Sequence, residues 1–215
     1  MRANSARTGA AVNAGALVAL LACASPTGAF TVNIAAANPR TVFLQVGVGS
    51  FSGGNYNAGG TPVTNATVNL VSVSVPAASV GSGVAQAMTT NSTQALSPYD
   101  GYAFCNLPGQ LYVAGFYRST TNTGAATLRA SSPANLVNAG GQTIPFTQIS
   151  WTSSGNGDTG GQPFPAGTFV GGSQAIGTIS LNQWAESCHT FSYANSAIVA
   201  AGTYTGRVTY TLSTP

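Results

Sequence analysis

The sequence has 215 residues, a length that suits a single all-β domain. Charged side chains are scarce, with six arginines, three acidic residues and no lysine, whereas 44% of the residues are apolar. The apolar content excludes a disordered chain, and a formal net charge of +3 excludes the strongly basic surface typical of nucleic-acid-binding proteins.

The first predicted element is a secretory signal over residues 1–29. Arg2 and Arg7 supply its positive end, residues 14–24 form its apolar run, and small residues follow. We expect cleavage after Ala29, which leaves four arginines against three acidic residues and a net charge of +1. The mature chain is then expected to pass through the periplasm to the cell surface.

Two alternatives exist at this end of the chain: cleavage after Ala24 and lipidation of Cys23. A lipid on Cys23 would tether the chain by its first residue. No other apolar run approaches the roughly 18 to 20 residues that a membrane helix requires, so we expect no stable membrane span.

Residues 30–40 are a predicted N-terminal extension ahead of a β-sandwich domain over residues 41–215. Phe30, Val32 and Ile34 alternate with polar residues, which is the period-two pattern of a strand with one buried face. An Asn-Pro pair then interrupts the pattern. This segment either pairs within its own sheet or leaves the domain as a donor strand for a neighbouring copy.

Alternating apolar residues between Gly-rich and Pro-rich turns predict further strands. Residues 110–118 carry aromatic side chains on both faces, which favours a central position, and residues 125–130 are the predicted neighbour. A proline inside 142–151 places that strand at an edge or bulge. A change of parity inside 66–75 predicts a bulge. The remaining predicted strands cover residues 41–48, 174–181, 187–193 and 202–214.

The last predicted strand is amphipathic, and its apolar face carries Tyr204, Val208, Tyr210 and Leu212.

Segments 49–61 and 155–172 are predicted surface loops, residues 77–100 contain one short strand or two, and a helical turn is possible near 183–187. Short strands without heptads or a βαβ rhythm predict an antiparallel β-sandwich.

Cys105 and Cys188 are the two cysteines that follow the predicted leader. Two cysteines in an exported protein ordinarily form a disulfide, so we predict a bridge between Cys105 and Cys188. The alternative is a pair of buried free thiols.

Acid and base groups are too few to predict an enzyme. His189 could form a triad only with Asp100 or Asp158, and no G-x-S-x-G motif presents a nucleophile. A glycosidase-like pair among Asp100, Asp158 and Glu186 remains open. Glu186, Cys188 and His189 form a weak metal-like group, so no catalytic residue, cofactor or metal is predicted.

Exposed aromatic residues offer a possible platform for stacking sugars. The alternative is that the two tryptophans belong to the core. The candidates are Tyr56, Tyr99, Tyr102, Trp151 and Trp184.

Three stretches resemble bacterial pilin subunits of the spore coat protein U and chaperone-usher type: AFTV at 29–32, IPFTQISW at 144–151 and AGTYTGRVTY at 201–210. The resemblance lies mostly in the last third of the chain. It implies an incomplete immunoglobulin-like sandwich whose missing strand is supplied by the N-terminal extension of the next subunit. The implied partners are further copies of the chain, with a periplasmic chaperone and an outer-membrane usher during export.

These observations predict a structural subunit of an extracellular bacterial fibre, pilus or surface coat that assembles by β-strand complementation. The alternative is a secreted binding module or adhesin that recognises glycans or surface ligands through loops 49–61 and 155–172.

Overall fold

The computed structural model describes residues 31–158 and 160–215, so the predicted leader and Phe30 lie outside it. The described residues form sixteen β-strands and three short 3-10 helices. The strands are β1 (Thr31–Asn33), β2 (Thr41–Val46), β3 (Ser50–Ser52), β4 (Thr61–Val63), β5 (Val71–Ser72), β6 (Gln86–Ala87), β7 (Thr89–Thr90), β8 (Leu111–Arg118), β9 (Ala125–Ser131), β10 (Asn135–Val137), β11 (Thr143–Pro145), β12 (Ile149–Ser154), β13 (Gly167–Thr168), β14 (Ser173–Ser180), β15 (Gln183–Tyr193) and β16 (Thr209–Ser213). The 3-10 helices are Tyr56–Ala58, Ala77–Ser79 and Phe146–Gln148.

Two antiparallel sheets face each other and confirm the predicted all-β sandwich. The larger sheet has the order β13-β12-β15-β8-β2, and β1 and β6 also pair with β15. The smaller sheet has the order β14-β9-β16. Short two-stranded ladders join β3 to β4, β5 to β7 and β10 to β11. Within the described residues, no helix combines the length and the apolar character that crossing a membrane requires.

The main core lies between the two sheets. Leu128 of β9 and Ile179 of β14 pack from the smaller sheet against Val113 of β8 and Phe191 of β15. These side chains are almost completely buried. Burial of their apolar surface is the principal force that holds the sheets together.

A second apolar layer covers the outer face of the larger sheet. Because successive side chains of a strand point to opposite faces, Tyr112 and Phe116 of β8 lie in this layer, as do Trp184 and Cys188 of β15. Strand β8 is therefore buried on both faces, which confirms its predicted central position.

Residues 125–130 form a strand as predicted, but not beside β8. Strand β9 belongs to the smaller sheet, where it pairs with β14 and β16. The turn before it is tied by Ser119, whose hydroxyl accepts hydrogen bonds from the N–H groups of Thr121 and Asn122. This turn carries the chain from one sheet to the other, so the prediction of neighbouring pairing was wrong.

Two other predicted strands are shorter than their patterns suggested. In residues 66–75 only Val71–Ser72 pairs, although Val71, Val73 and Val75 all pack on the main core. The alternating valines there bury their side chains in the core, but most of this segment forms no backbone pairs with another strand. Residues 142–151 are divided by the 3-10 helix Phe146–Gln148, which follows Pro145 at the end of β11.

The remaining differences concern short segments. Residues 77–100 contain two strands of two residues each, β6 and β7. Residues 183–187 are not a helical turn but the first half of β15. A register shift occurs in β14, between Ala175 and Gly177, where the sequence pattern gave no indication of a bulge.

Candidate functional site

Of the residues considered for acid-base or metal chemistry, Asp100 and Glu186 interact electrostatically, whereas the group Glu186, Cys188 and His189 is divided between the two faces of a strand. His189 lies on one face of β15, whereas Glu186 and Cys188 lie on the other, because side chains alternate along a strand. Asp100 is exposed, and Asp158 closes a turn with Gly155. Among the described residues, no three His, Cys, Asp or Glu side chains are grouped closely enough to hold a metal ion.

His189 is fully buried in the main core. Its ring stacks on Trp151 at 5.8 Å between centroids, and its Nε2 donates to the carbonyl oxygen of Phe164 at 3.2 Å. Burial lowers the pKa of His189 to about 4, because the charged imidazolium is deprived of water. The side chain is therefore neutral near pH 7 and serves packing.

Glu186 is buried on the opposite face, where three side chains donate to its Oε2. They are Ser97 Oγ at 2.8 Å, Trp184 Nε1 at 3.1 Å and the hydroxyl of Tyr112. Burial raises the pKa of Glu186 to about 7, since the loss of water outweighs these donors, and the negative charge of Asp100 adds to the rise. This network fixes the position of Trp184 and of the segment that contains Ser97.

Trp184 lies at the centre of an aromatic cluster on the outer face of the larger sheet. The centroids of Tyr56, Phe43, Tyr99 and Phe116 lie 5.2, 5.4, 5.5 and 5.8 Å from that of Trp184. Trp184 is fully buried, and Trp151 is 4% exposed in the main core. The tryptophans are thus core residues rather than exposed stacking surfaces.

Two of the predicted platform residues, Tyr56 and Tyr99, line an open cleft above this cluster. The cleft has a volume of about 670 Å³ and combines polar with aromatic walls. Tyr102 is 53% exposed outside the cleft. The residues that line the cleft include Asn33, Ile34, Ala35, Tyr56, Asn57, Thr61, Tyr99, Phe116 and Arg118.

Arg118 is the charged group of this cleft, and no local sequence pattern indicated its role. Its Nε donates to the carbonyl oxygen of Ala35 at 2.6 Å, and the guanidinium carbon lies 5.9 Å from the ring centroids of Tyr56 and Phe116. Arg118 ends β8 and Ala35 follows β1, so only the pairing of distant segments brings the two together.

The predicted donor segment lies at the periphery of the larger sheet. Strand β1 pairs with the first half of β15, and Val32 stands opposite Trp184. Ile34 packs on the outer aromatic layer, and its N–H donates to Asn182 at 2.9 Å. In the isolated chain these residues therefore pair within their own sheet, while Phe30 lies outside the described residues.

Strand β2 forms an edge of the larger sheet, and β8 is its only partner strand among the described residues. The N–H of Gly47 donates to Tyr112 of β8, so by alternation Val42, Leu44 and Val46 direct their backbone groups away from β8. A groove of about 420 Å³ runs along this edge between β2 and residues 62–67.

Strand β16 contains Tyr210 and Leu212, whereas Tyr204 and Val208 precede it. All four side chains are partly buried against the main core, so they share the predicted apolar face. The ladder begins only at Thr209, where β16 meets β9.

The predicted bridge is present: Cys105 and Cys188 form a disulfide with their Cα atoms 5.6 Å apart. It ties the loop before β8 to the middle of β15.

Scans against protein-family models, the curated proteins and the solved structures found no match to this chain. Its likeness to pilin subunits stays an expectation drawn from the sequence.

Proposed function

We propose that this chain is a structural subunit of an extracellular bacterial fibre, pilus or surface coat. Copies are exported through the periplasm and join when residues 30–40 of one copy complete a sheet of the next. The observation that carries this proposal is the position of β1, a three-residue strand whose partner strand within the described part of the chain is β15.

Strand β1 has the properties of an exchangeable strand. It forms three residue pairs with β15, and the seven residues between it and β2 give it a connection outside the ladder. The same segment of a neighbouring copy can form the same pairs, because an identical strand offers identical backbone groups and side chains. Exchange thus replaces contacts within a chain by equivalent contacts between chains.

The free edge of β2 is a second position at which a strand of another protein can pair, distinct from the position beside β15 that the exchanged strand takes. Unpaired N–H and C=O groups along an edge are a template for an added strand. Val42 is 52% exposed beside this edge, and Val63 is 48% exposed across the groove. An immunoglobulin-like sandwich that lacks one strand would present such an edge, which a periplasmic chaperone would cover until an usher assembles the fibre.

Surface chemistry is consistent with this role. The net charge expected after leader removal is +1, and a chain without lysine offers few sites to trypsin-like proteases. The disulfide adds a covalent constraint suited to an oxidising compartment.

The test is to replace Val32, which is half-buried opposite Trp184, by Asp. A charge at this position would have to be buried in every copy-to-copy junction, so Val32→Asp should abolish filaments that are visible by electron microscopy. Thr31→Asp is the matched control, because Thr31 is exposed and the substitution places the same charge one residue away. Normal filaments from a folded Val32→Asp protein would contradict the proposal.

One observation favours the second candidate function, a secreted binding module. The aromatic cleft at Tyr56 and Tyr99 has the size of a ligand site, although it does not include the loop 155–172 that the sequence suggested.

A further inference from the structure

We propose that the cleft lined by Tyr56, Tyr99 and Arg118 binds a carboxylated sugar, the uronic acid unit of an acidic polysaccharide. The proposal goes beyond the fibre function and does not depend on it, because binding can be measured whether or not the chain forms filaments.

The dimensions and walls of the cleft suit a small polar ligand. Its volume of about 670 Å³ falls inside the range of about 300–1,000 Å³ typical of small-molecule sites. One wall comes from Asn33 to Ala35 at the end of β1, and the other from the segment between Tyr56 and Pro62. Both walls contact β8, one where Arg118 donates to Ala35 and the other where Tyr56 packs on Phe116.

Two tyrosines provide an aromatic surface within the cleft. The ring centroids of Tyr56 and Tyr99 lie 6.2 Å apart with 31° between the ring planes, and both side chains are half-buried. Tyr56 is supported from below by Trp184 and Phe116, each with its centroid 5.2 Å away. Held in this way, the rings can cover the C–H face of a pyranose without first being ordered.

The charge in the cleft indicates an anionic ligand. Arg118 donates to the main-chain carbonyls of Ala35 and Ala36 and interacts with the Tyr56 hydroxyl, so its partners are neutral. A guanidinium has five N–H donors in a planar fork, and those left over match a carboxylate. None of the residues that line the cleft is acidic.

A sugar acid fits this combination better than a phosphate. The cleft contains a single cation, whereas its other polar groups are neutral amides and hydroxyls. Asn57 and Thr61 are exposed and offer such groups to sugar hydroxyls. Several cations would be expected around a phosphate group.

The experiment compares two probes by isothermal titration calorimetry on the purified protein: a trimer of galacturonic acid and the matching neutral trimer of galactose. The acidic trimer should bind on the order of tenfold more tightly than the neutral trimer, because its carboxylate adds a charge-assisted hydrogen bond with Arg118. Arg118→Gln should remove this preference and leave the affinity for the neutral trimer unchanged. Tyr56→Ala should weaken the binding of both probes.

Two control variants carry the same substitutions outside the cleft. Arg129→Gln alters an arginine of β9 whose Nε donates to Ser173, and Tyr102→Ala alters the exposed tyrosine. Both should bind as the wild type does. Thermal melting shows whether Arg118→Gln is folded; if it is not, the two probes on the wild type and on Tyr56→Ala decide the question.

Three results would overturn the proposal. They are binding of neither trimer by the wild type, equal binding of both trimers by the wild type, and unchanged binding by the cleft variants. If neither trimer binds and Tyr56→Ala prevents self-association, the cleft is a contact between copies, and the sugar proposal is wrong while the fibre proposal stands.

Discussion

Two ionisable side chains on opposite faces of β15 respond to burial in opposite directions. Burial raises the pKa of Glu186 from 4.5 to about 7, and it lowers the pKa of His189 from 6.5 to about 4. In both cases the neutral form is favoured, because the charged form loses its water. The two residues therefore give the stability of the protein opposite dependences on pH.

The sign of each dependence follows from which state holds the proton. Between about pH 4.5 and 7, folded Glu186 keeps a proton that the unfolded chain releases, so its contribution to stability falls as pH rises. Between about pH 4 and 6.5, the unfolded chain protonates His189 and the folded chain does not, so its contribution rises with pH. Each shift corresponds to on the order of 3 kcal/mol, and the two largely cancel.

Replacing one of the two residues should make visible the pH dependence of stability that the other one causes. In Glu186→Gln, the free energy of unfolding should rise by on the order of 3 kcal/mol between pH 4 and 6.5, because the lowered pKa of His189 is no longer offset by the raised pKa of Glu186. In His189→Gln, it should fall by a similar amount between pH 4.5 and 7. Urea denaturation at a series of pH values measures both profiles. Identical profiles in the two variants would show that burial does not shift the pKa values of Glu186 and His189 in opposite directions.

The sequence could predict the role of a residue where that role depends only on the kind of amino acid. The disulfide between Cys105 and Cys188 followed from an even pair of cysteines, and the structure confirms it. The cleft could be predicted only in part: Tyr56 and Tyr99 were candidates, whereas Arg118 depends on its contact with Ala35, 83 residues earlier in the chain. Long-range contacts of this kind leave no local pattern.

Reduction of the disulfide tests how strongly it stabilises the larger sheet. The two cysteines are separated by 83 residues, and opening a loop of this length should lower the free energy of unfolding by about 4 kcal/mol. The double variant Cys105→Ser, Cys188→Ser should show the same loss as the reduced wild type in urea denaturation. A loss in the variant that is absent on reduction would indicate a packing defect instead.

At the scale of elements, alternation predicted which side chains are buried better than which strands pair. Residues 110–118 and 174–181 formed the expected strands. The first strand is buried on both faces, and the second buries side chains on one face. Residues 66–75 also alternate, with a change of parity, yet only Val71–Ser72 joins a ladder, although Val73 and Val75 pack on the main core as well. Pairing depends on the partner that the tertiary fold brings alongside, as the assignment of β9 to the smaller sheet shows.

Strand exchange makes a further prediction about β1 as an isolated element. A chain that lacks residues 30–36 should not form filaments, but it should bind a synthetic peptide of residues 29–38 along the exposed edge of β15. Binding should raise the melting temperature of the truncated chain, and the rise should increase with the logarithm of peptide concentration above the dissociation constant. The same peptide with Val32→Asp is the control, and equal stabilisation by both peptides would argue against side-chain-specific exchange.

For the whole molecule, the scarcity of charge determines how copies can attract one another. Residues 30–215 carry four arginines and three acidic residues, and Glu186 is buried. Long-range electrostatic attraction between copies is therefore weak, so association must depend on backbone hydrogen bonds and apolar contacts along strand edges.

The concentration of protein needed for filaments should consequently change less than about twofold between 50 and 500 mM NaCl, since screening acts on few surface charges. Sedimentation of assembled material at each salt concentration measures this threshold. Binding of the galacturonic acid trimer should weaken over the same range, because Arg118 and the sugar carboxylate attract each other through charge. A threshold that rises steeply with salt would mean that the few arginines, rather than exchanged strands, hold the copies together.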